Sequence, residues 1–252
     1  MKFFAVLGFL VCISVAAFTQ DLPALIKEGD RLEALPDEKA ALAKFKEVLK
    51  IHPADLYALT KCSELCCRIG GREKKNTTLR DEYYNTAIIY ARTALKIYPE
   101  SDVANVTMGI AVGKSILLKS GREKISAAKE LKAYAEKALK TNPNNFKAWS
   151  ILGKWNYEVS NLSGLERALA KIIYGGLPPA SLKTAISCYE KASALSPTYA
   201  YNYLELAKAY HRNKEQQKAN RQLRTLLSFK NTTEDDPRMK AEAQELLKKW
   251  ED

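Results

Sequence analysis

The chain has 252 residues, with 40 Lys and Arg against 29 Asp and Glu, for a formal net charge of +11. A hydrophobic share of 46% beside 27% charged residues excludes a wholly disordered chain, and 11 Gly with 9 Pro exclude a loop-rich or collagen-like one. Two histidines in the whole chain leave little for acid–base or metal chemistry.

The first predicted element is a targeting segment. Lys2 precedes an uncharged run from Phe3 to Phe18. That run is short for a bilayer span, which takes about 20 apolar residues. With small residues at Val15-Ala16-Ala17 it fits a secretory signal peptide over residues 1–19, cut after Thr19 or, alternatively, after Ala17. The chain is therefore expected to be exported, periplasmic or secreted. An uncleaved N-terminal membrane anchor is the alternative. A lipoprotein through Cys12 lacks the small residue expected just before the lipidated cysteine.

From residue 20 onward the pattern repeats. Leu25, Gly29 and Leu32 predict a first helix; Ala41, Phe45 and Val48 predict a second, ended by Pro53. Pro99, Pro143 and Pro197 close similar helices, because proline cannot continue one. Six, nine, ten and thirteen residues after the prolines stand Leu59/Cys62/Ser63/Cys66, Asn105/Met108/Gly109/Val112, Trp149/Leu152/Gly153/Asn156 and Tyr203/Leu206/Ala207/Tyr210. These offsets share one helical face, with a small residue inside it each time. Counting backward, Ala87/Ala91/Ala94, Leu131/Ala135/Ala138 and Ala185/Tyr189/Ala192 repeat the face of the helix that ends at the first proline. The reading is one all-α stack of antiparallel helix pairs, each burying its face only against its neighbours. Asp236-Pro237 opens a last helix, read as an N-cap followed by proline at the first helical position, with Met239, Ala243, Leu246 and Trp250 on its apolar side.

Tyr203-x2-Leu206-Ala207-x2-Tyr210 and Trp149-x2-Leu152-Gly153 resemble the W-x2-L-G-x2-Y helix of tetratricopeptide repeats. The resemblance implies a tetratricopeptide-like helical-hairpin solenoid over 20–252. Its units fall at about 20–53, 54–99, 100–143, 144–197 and 198–231, with a capping helix at 236–250. The prolines lie 46, 44 and 54 residues apart rather than 34, so extra turns are expected at 70–84, 120–126 and 161–181. The longest insert narrows the resemblance. Gly153-Lys154-Trp155-Asn156-Tyr157, then Leu162, Glu166-Arg167 and Ile173-Tyr174-Gly175, then Pro178-Pro179-Ala180-Ser181 resemble the regulator of microtubule dynamics family. That family shares a G-x-W-x-Y helix, a short amphipathic helix and a Gly-x-Pro-Pro-Ser turn. Microtubules follow as a partner only from this resemblance, and export from a bacterial cell would remove them.

Cys62 and Cys66 occupy repeat core positions and read as small packed residues; a bridge involving Cys188, or a metal, are the alternatives. No nucleophile, phosphate-cradling or dinucleotide motif is visible, so neither an enzyme nor a cofactor is expected. The stripe beside the core face should line the concave surface. It offers Lys114, Lys147, Lys154, Lys208 and Arg212, with Arg68, for charge, and Tyr57, Val106, Tyr157, Tyr201 and Leu204 for apolar contact. Such a groove suits a peptide or protein partner with an acidic group, or alternatively an anionic lipid. Nucleic acid is disfavoured, since the cations are mostly Lys dispersed along helices. Val103, Val106 and Ile110 are alternatively expected to pack against the insert helix around Leu165, Leu169 and Ile172.

Overall fold

The computed structural model describes residues 21–251; the signal or anchor expected at 1–19 lies outside the described residues. Among the described residues there are twelve α-helices and no strand. They form five hairpins: α1 (Leu22–Ala34) with α2 (Glu38–Ile51), α3 (Leu56–Arg72) with α4 (Thr77–Ile97), α5 (Asp102–Ser115) with α6 (Gly121–Thr141), α7 (Phe146–Ser160) with α9 (Leu182–Leu195), and α10 (Ala200–Arg212) with α11 (Gln216–Ser228). The insert α8 (Gly164–Tyr174) interrupts the fourth hairpin, and α12 (Asp236–Glu251) closes the stack.

The junctions show why each pair forms where it does. Two residues after the first three prolines stand Asp55, Ser101 and Asn145. Their side chains accept from the backbone N–H groups of Ala58, Ala104 and Ala148 at 2.7, 3.2 and 3.1 Å. Each satisfies an otherwise orphaned donor at a helix start, worth about 1 kcal/mol. Six residues after their prolines, Asn105, Trp149 and Tyr203 donate to the carbonyls of Pro99, Pro143 and Pro197 at 3.0, 2.8 and 2.8 Å. The repeated offset thus has a polar use as well as an apolar one. Leu59 cannot make this bond, and in that unit Tyr98 instead donates to Ala54 O at 2.8 Å.

The expected core face is buried, except that Leu25, Leu32, Leu131 and Trp149 are half-buried. Small residues on it are needed for close approach. A Cβ on Gly153 would lie 2.7 Å from the Tyr189 ring, and one on Gly29 would lie 2.8 Å from Phe45. Ala87, Ala91, Ala94, Ala135, Ala138, Ala185 and Ala192 supply the matching surfaces and are fully buried. The apolar interior is accordingly strung along the stack, as one extended cluster through the first three hairpins and smaller ones beside and beyond it.

Two local expectations change. Asp236 lies inside the first turn of α12, so its carboxylate does not cap forward. It accepts instead from the N–H groups of Thr232 and Thr233 at 2.6 and 2.8 Å, which pins the preceding loop. The insert helix α8 does not cover Val103, Val106 and Ile110. It leans on α6, buries only Ala170, and leaves Leu165, Leu169 and Ile172 exposed. Val106 is instead buried by its own neighbours Ala138 and Ala148.

The two ends of the stack meet. The Glu38 N–H, at the start of α2, donates to Glu234 Oε1 in the loop before α12 at 2.8 Å. Arg72, at the end of α3, lies 2.7 Å from Glu38, 3.1 Å from Glu234 and 3.7 Å from Asp235. The stack therefore curls until its first units touch its cap.

Candidate functional site

The inner wall is built by the first helix of each pair, with α12 at one end. Its charges are arranged as a ladder. On α3, Arg68 lies 2.5 Å from Glu33 and 3.2 Å from Glu38, while Lys61 lies 2.7 Å from Glu33. Across the wall, Lys147 of α7 reaches Glu64 of α3 at 2.6 Å. Glu205 of α10 sits between Lys154 at 2.7 Å and Lys208 at 3.1 Å. Those lysines are shared in turn with Glu158 at 2.9 Å and Glu242 at 2.7 Å. Arg212 donates to the carbonyls of Tyr157 and Ser160, both at 2.9 Å, and lies over the Tyr157 ring.

The ladder fixes protonation. Burial pushes the Glu33, Glu64 and Glu205 carboxyls upward, but the facing cations outweigh it and hold all three below their ordinary value. Glu38 goes the other way: its full burial outweighs Arg68 and Arg72, and Glu234 beside it adds to the rise. Burial lowers the Lys154 and Lys208 ammoniums, yet their carboxylate partners raise both overall.

The expected groove residues divide accordingly. Arg68, Lys147, Lys154, Lys208 and Arg212 do face one wall, but their charge is spent inside the molecule. Lys114 has neither an ion pair nor a hydrogen bond among the described residues; its ammonium lies beside Gly71. Val106 and Leu204 are corrected: both are buried in interhelix clusters and offer no apolar surface to a ligand. Neighbouring helices pack against both flanks of the core face, so the adjacent stripe is partly core as well. Tyr57 is exposed and donates to Asp30 at 2.6 Å. Tyr157 and Tyr201 are half-buried.

An aromatic patch supplies what those residues do not. Tyr199 meets Phe146 edge-on with ring centroids 5.1 Å apart, and Tyr201 lies 6.0 Å from Tyr199. All three are half-buried, beside the Glu64–Lys147 rung. Burial raises both phenols, with Glu64 and Glu205 adding at Tyr199 and Glu205 and Tyr199 at Tyr201. Neither hydroxyl has a hydrogen-bond partner among the described residues. Sequence reasoning missed Phe146 and Tyr199, although a signal was present. Tyr199 occupies the position that holds a capping side chain after the other three prolines, and here no side-chain cap forms.

Nothing in the wall forms a hydrolytic constellation, and among the described residues no group of His, Cys, Asp and Glu is placed to hold a metal ion. Cys62, Cys66, Cys67 and Cys188 are buried and free. Burial pushes their thiols up, to about 12 at Cys62 and Cys67 and about 11 at Cys66 and Cys188, which keeps them protonated and poorly nucleophilic.

Helix pairs of this phase, stacked with small residues at each crossing, define a tetratricopeptide-like solenoid. A thermophilic tetratricopeptide-repeat protein of Thermus thermophilus shares the architecture with a TM-score of 0.66 at 18% identity, covering 89% of this chain and 99% of its own. The family model for regulator of microtubule dynamics proteins 1-3 matches residues 25–251, and the chain belongs to that family. Regulator of microtubule dynamics protein 1 of Caenorhabditis elegans is 26% identical over 75% of this chain and 80% of its own length. The Bos taurus protein of that name is 23% identical over 99% and 78%. Regulator of microtubule dynamics protein 3 of Xenopus laevis is 30% identical over 90% of this chain, which spans half of that longer protein.

Proposed function

We propose that the chain is a non-catalytic scaffold, exported by its N-terminal segment, that docks an extended peptide of a partner protein on its inner wall. The observation that carries this reading is the patch of Phe146, Tyr199 and Tyr201. It combines half-buried rings with two unpaired phenolic hydroxyls. Rings anchor apolar side chains at low entropic cost, and free hydroxyls suit the carbonyls of an extended backbone. The surrounding ion pairs hold the wall rigid, and Lys114 remains free for an acidic side chain. A lipid in the same place is the weaker alternative, because acyl chains would lie against paired carboxylates and ammoniums rather than apolar wall. The relatives' name ties them to microtubule dynamics; a tubulin partner for this chain requires that it share a compartment with microtubules.

Selection from a random peptide display library, run in parallel on the native chain and a Tyr199→Ala/Tyr201→Ala variant, tests the reading. Sequences enriched on the native chain and lost on a folded variant support it. Equal enrichment on both, or none, sinks it. Native mass spectrometry of the purified chain separates the alternatives, since a stoichiometric phospholipid would favour the lipid.

A further inference from the structure

We propose that α8 is an interfacial helix that docks the solenoid onto an anionic membrane surface. The proposal is independent of the peptide reading of the inner wall. Leu165, Leu169, Ile172 and Ile173 are 71, 46, 81 and 50% exposed, the densest group of large exposed apolar side chains among the described residues. At 100° per residue they fall within one stripe about 100° wide. The stripe points away from the protein, because α8 is held to α6 from its other side, by Ala170 and by Tyr174 against Gly121.

The helix does not depend on burial for its shape. Ser163 accepts from the Glu166 N–H at 3.2 Å, while Glu166 accepts from the Ser163 N–H at 2.7 Å. This reciprocal pair closes the N-terminal end. Gly175 ends the helix in the left-handed conformation at φ 72°. Such local encoding keeps the apolar stripe presented whether or not anything covers it.

The charges around the helix select the occupant. Arg167 and Lys171 are exposed on the side of α8 opposite the stripe, where Arg167 donates to Leu162 O at 3.1 Å, and Lys124 and Lys129 of α6 adjoin the helix, Lys129 donating to Tyr174 O at 3.4 Å. The acid among them, Glu166, is held by the Ser163 N–H. An apolar stripe on one side with cations on the other is the composition that seats a helix at the headgroup–acyl boundary of anionic lipid. A second copy of the chain fits less well. It would bring another net charge of +11 against the same basic helix. An eleven-residue helix, about 16 Å long and about 10 Å across, also offers a face of only a few hundred Å² at most, short of the roughly 800 Å² per partner of a stable interface.

The test places an environment-sensitive NBD fluorophore on the full-length chain through Ile172→Cys, with Cys12→Ser. The four other cysteines are buried and protonated, so the new thiol is the reactive one. The label reads α8 alone and ignores any insertion by the apolar N-terminal segment. Vesicles containing phosphatidylserine should shift its emission to the blue, and lipid-borne quenchers should quench it; neutral phosphatidylcholine vesicles should do so far less. A label at Lys46→Cys on α2 should stay unchanged. Arg167→Gln/Lys171→Gln should weaken vesicle binding about 30-fold, at about tenfold per 1.4 kcal/mol and about 1 kcal/mol per surface charge. Leu165→Glu, with the label still at 172, should abolish the response without moving the thermal midpoint. A label that ignores vesicles overturns the proposal. So does one that shifts with protein concentration alone while the mass doubles, which would assign the stripe to a second copy.

Discussion

The inner wall and the α8 insert use the same residue types to opposite ends. On the wall, long charged side chains are satisfied by one another, and the large aliphatic side chains are core. On α8 the aliphatic side chains face out, and the cations on and around the helix are in no ion pair among the described residues, although Arg167 and Lys129 donate to backbone carbonyls. The chain's positive excess therefore does not describe its groove. An electrically balanced wall is suited to recognition by shape and hydrogen bonding, and apart from Lys114 the charge open to a partner lies on the outside of the stack.

The contrast can be broken most sharply at Arg72. Arg72→Ala removes one of the two cations at the fully buried Glu38 carboxylate, leaving Arg68 alone to offset it beside Glu234, and should cost about 3 kcal/mol, read as a lowered urea midpoint. Glu205→Gln removes the charge shared by Lys154 and Lys208 but keeps its volume, and should cost about 2 kcal/mol in the same assay. Acid should weaken the wall as a whole. Glu33, Glu64 and Glu205 have folded values below their unfolded ones, so their contribution is present above the unfolded value of about 4.5 and is lost as pH falls through the folded values. Glu38 opposes this, contributing more when protonated, but it is one group against three. Urea midpoints measured at pH 7, 5, 4 and 3 should fall; a flat series would mean the ladder contributes little. Tyr199→Ser should hold stability level within about 1 kcal/mol, because a restored helix cap offsets lost ring packing, while peptide capture falls. The smallest effect belongs to α8: Leu165→Ser/Ile172→Ser should stay within about 0.5 kcal/mol of the native chain.

These differences also show what the sequence could carry. The core face was legible because offsets of six, nine, ten and thirteen are local, and the close approach of Gly153 to Tyr189 follows from the same phase. The state of the wall was not. Lys147 and Glu64 are 83 residues apart, and Glu38 and Glu234 are 196 apart, so no local pattern pairs them. Val106 and Leu204 misled because a helical wheel gives direction and not depth. The α8 stripe misled through the assumption that an apolar face must be covered by protein. Tyr199 was the recoverable loss, visible as the one departure from a capping residue in four junctions.

The meeting of Glu38, Arg72 and Glu234 changes how the molecule should come apart. A linear stack of repeats melts from its ends, because each terminal unit has one neighbour and frays independently. Here the first hairpin is held by α3 on one side and by the loop before α12 on the other. Neither terminus of the stack is a free end, and the earliest and latest parts of the chain share one fate. Denaturation is then expected as a single event in which loss of either end releases both.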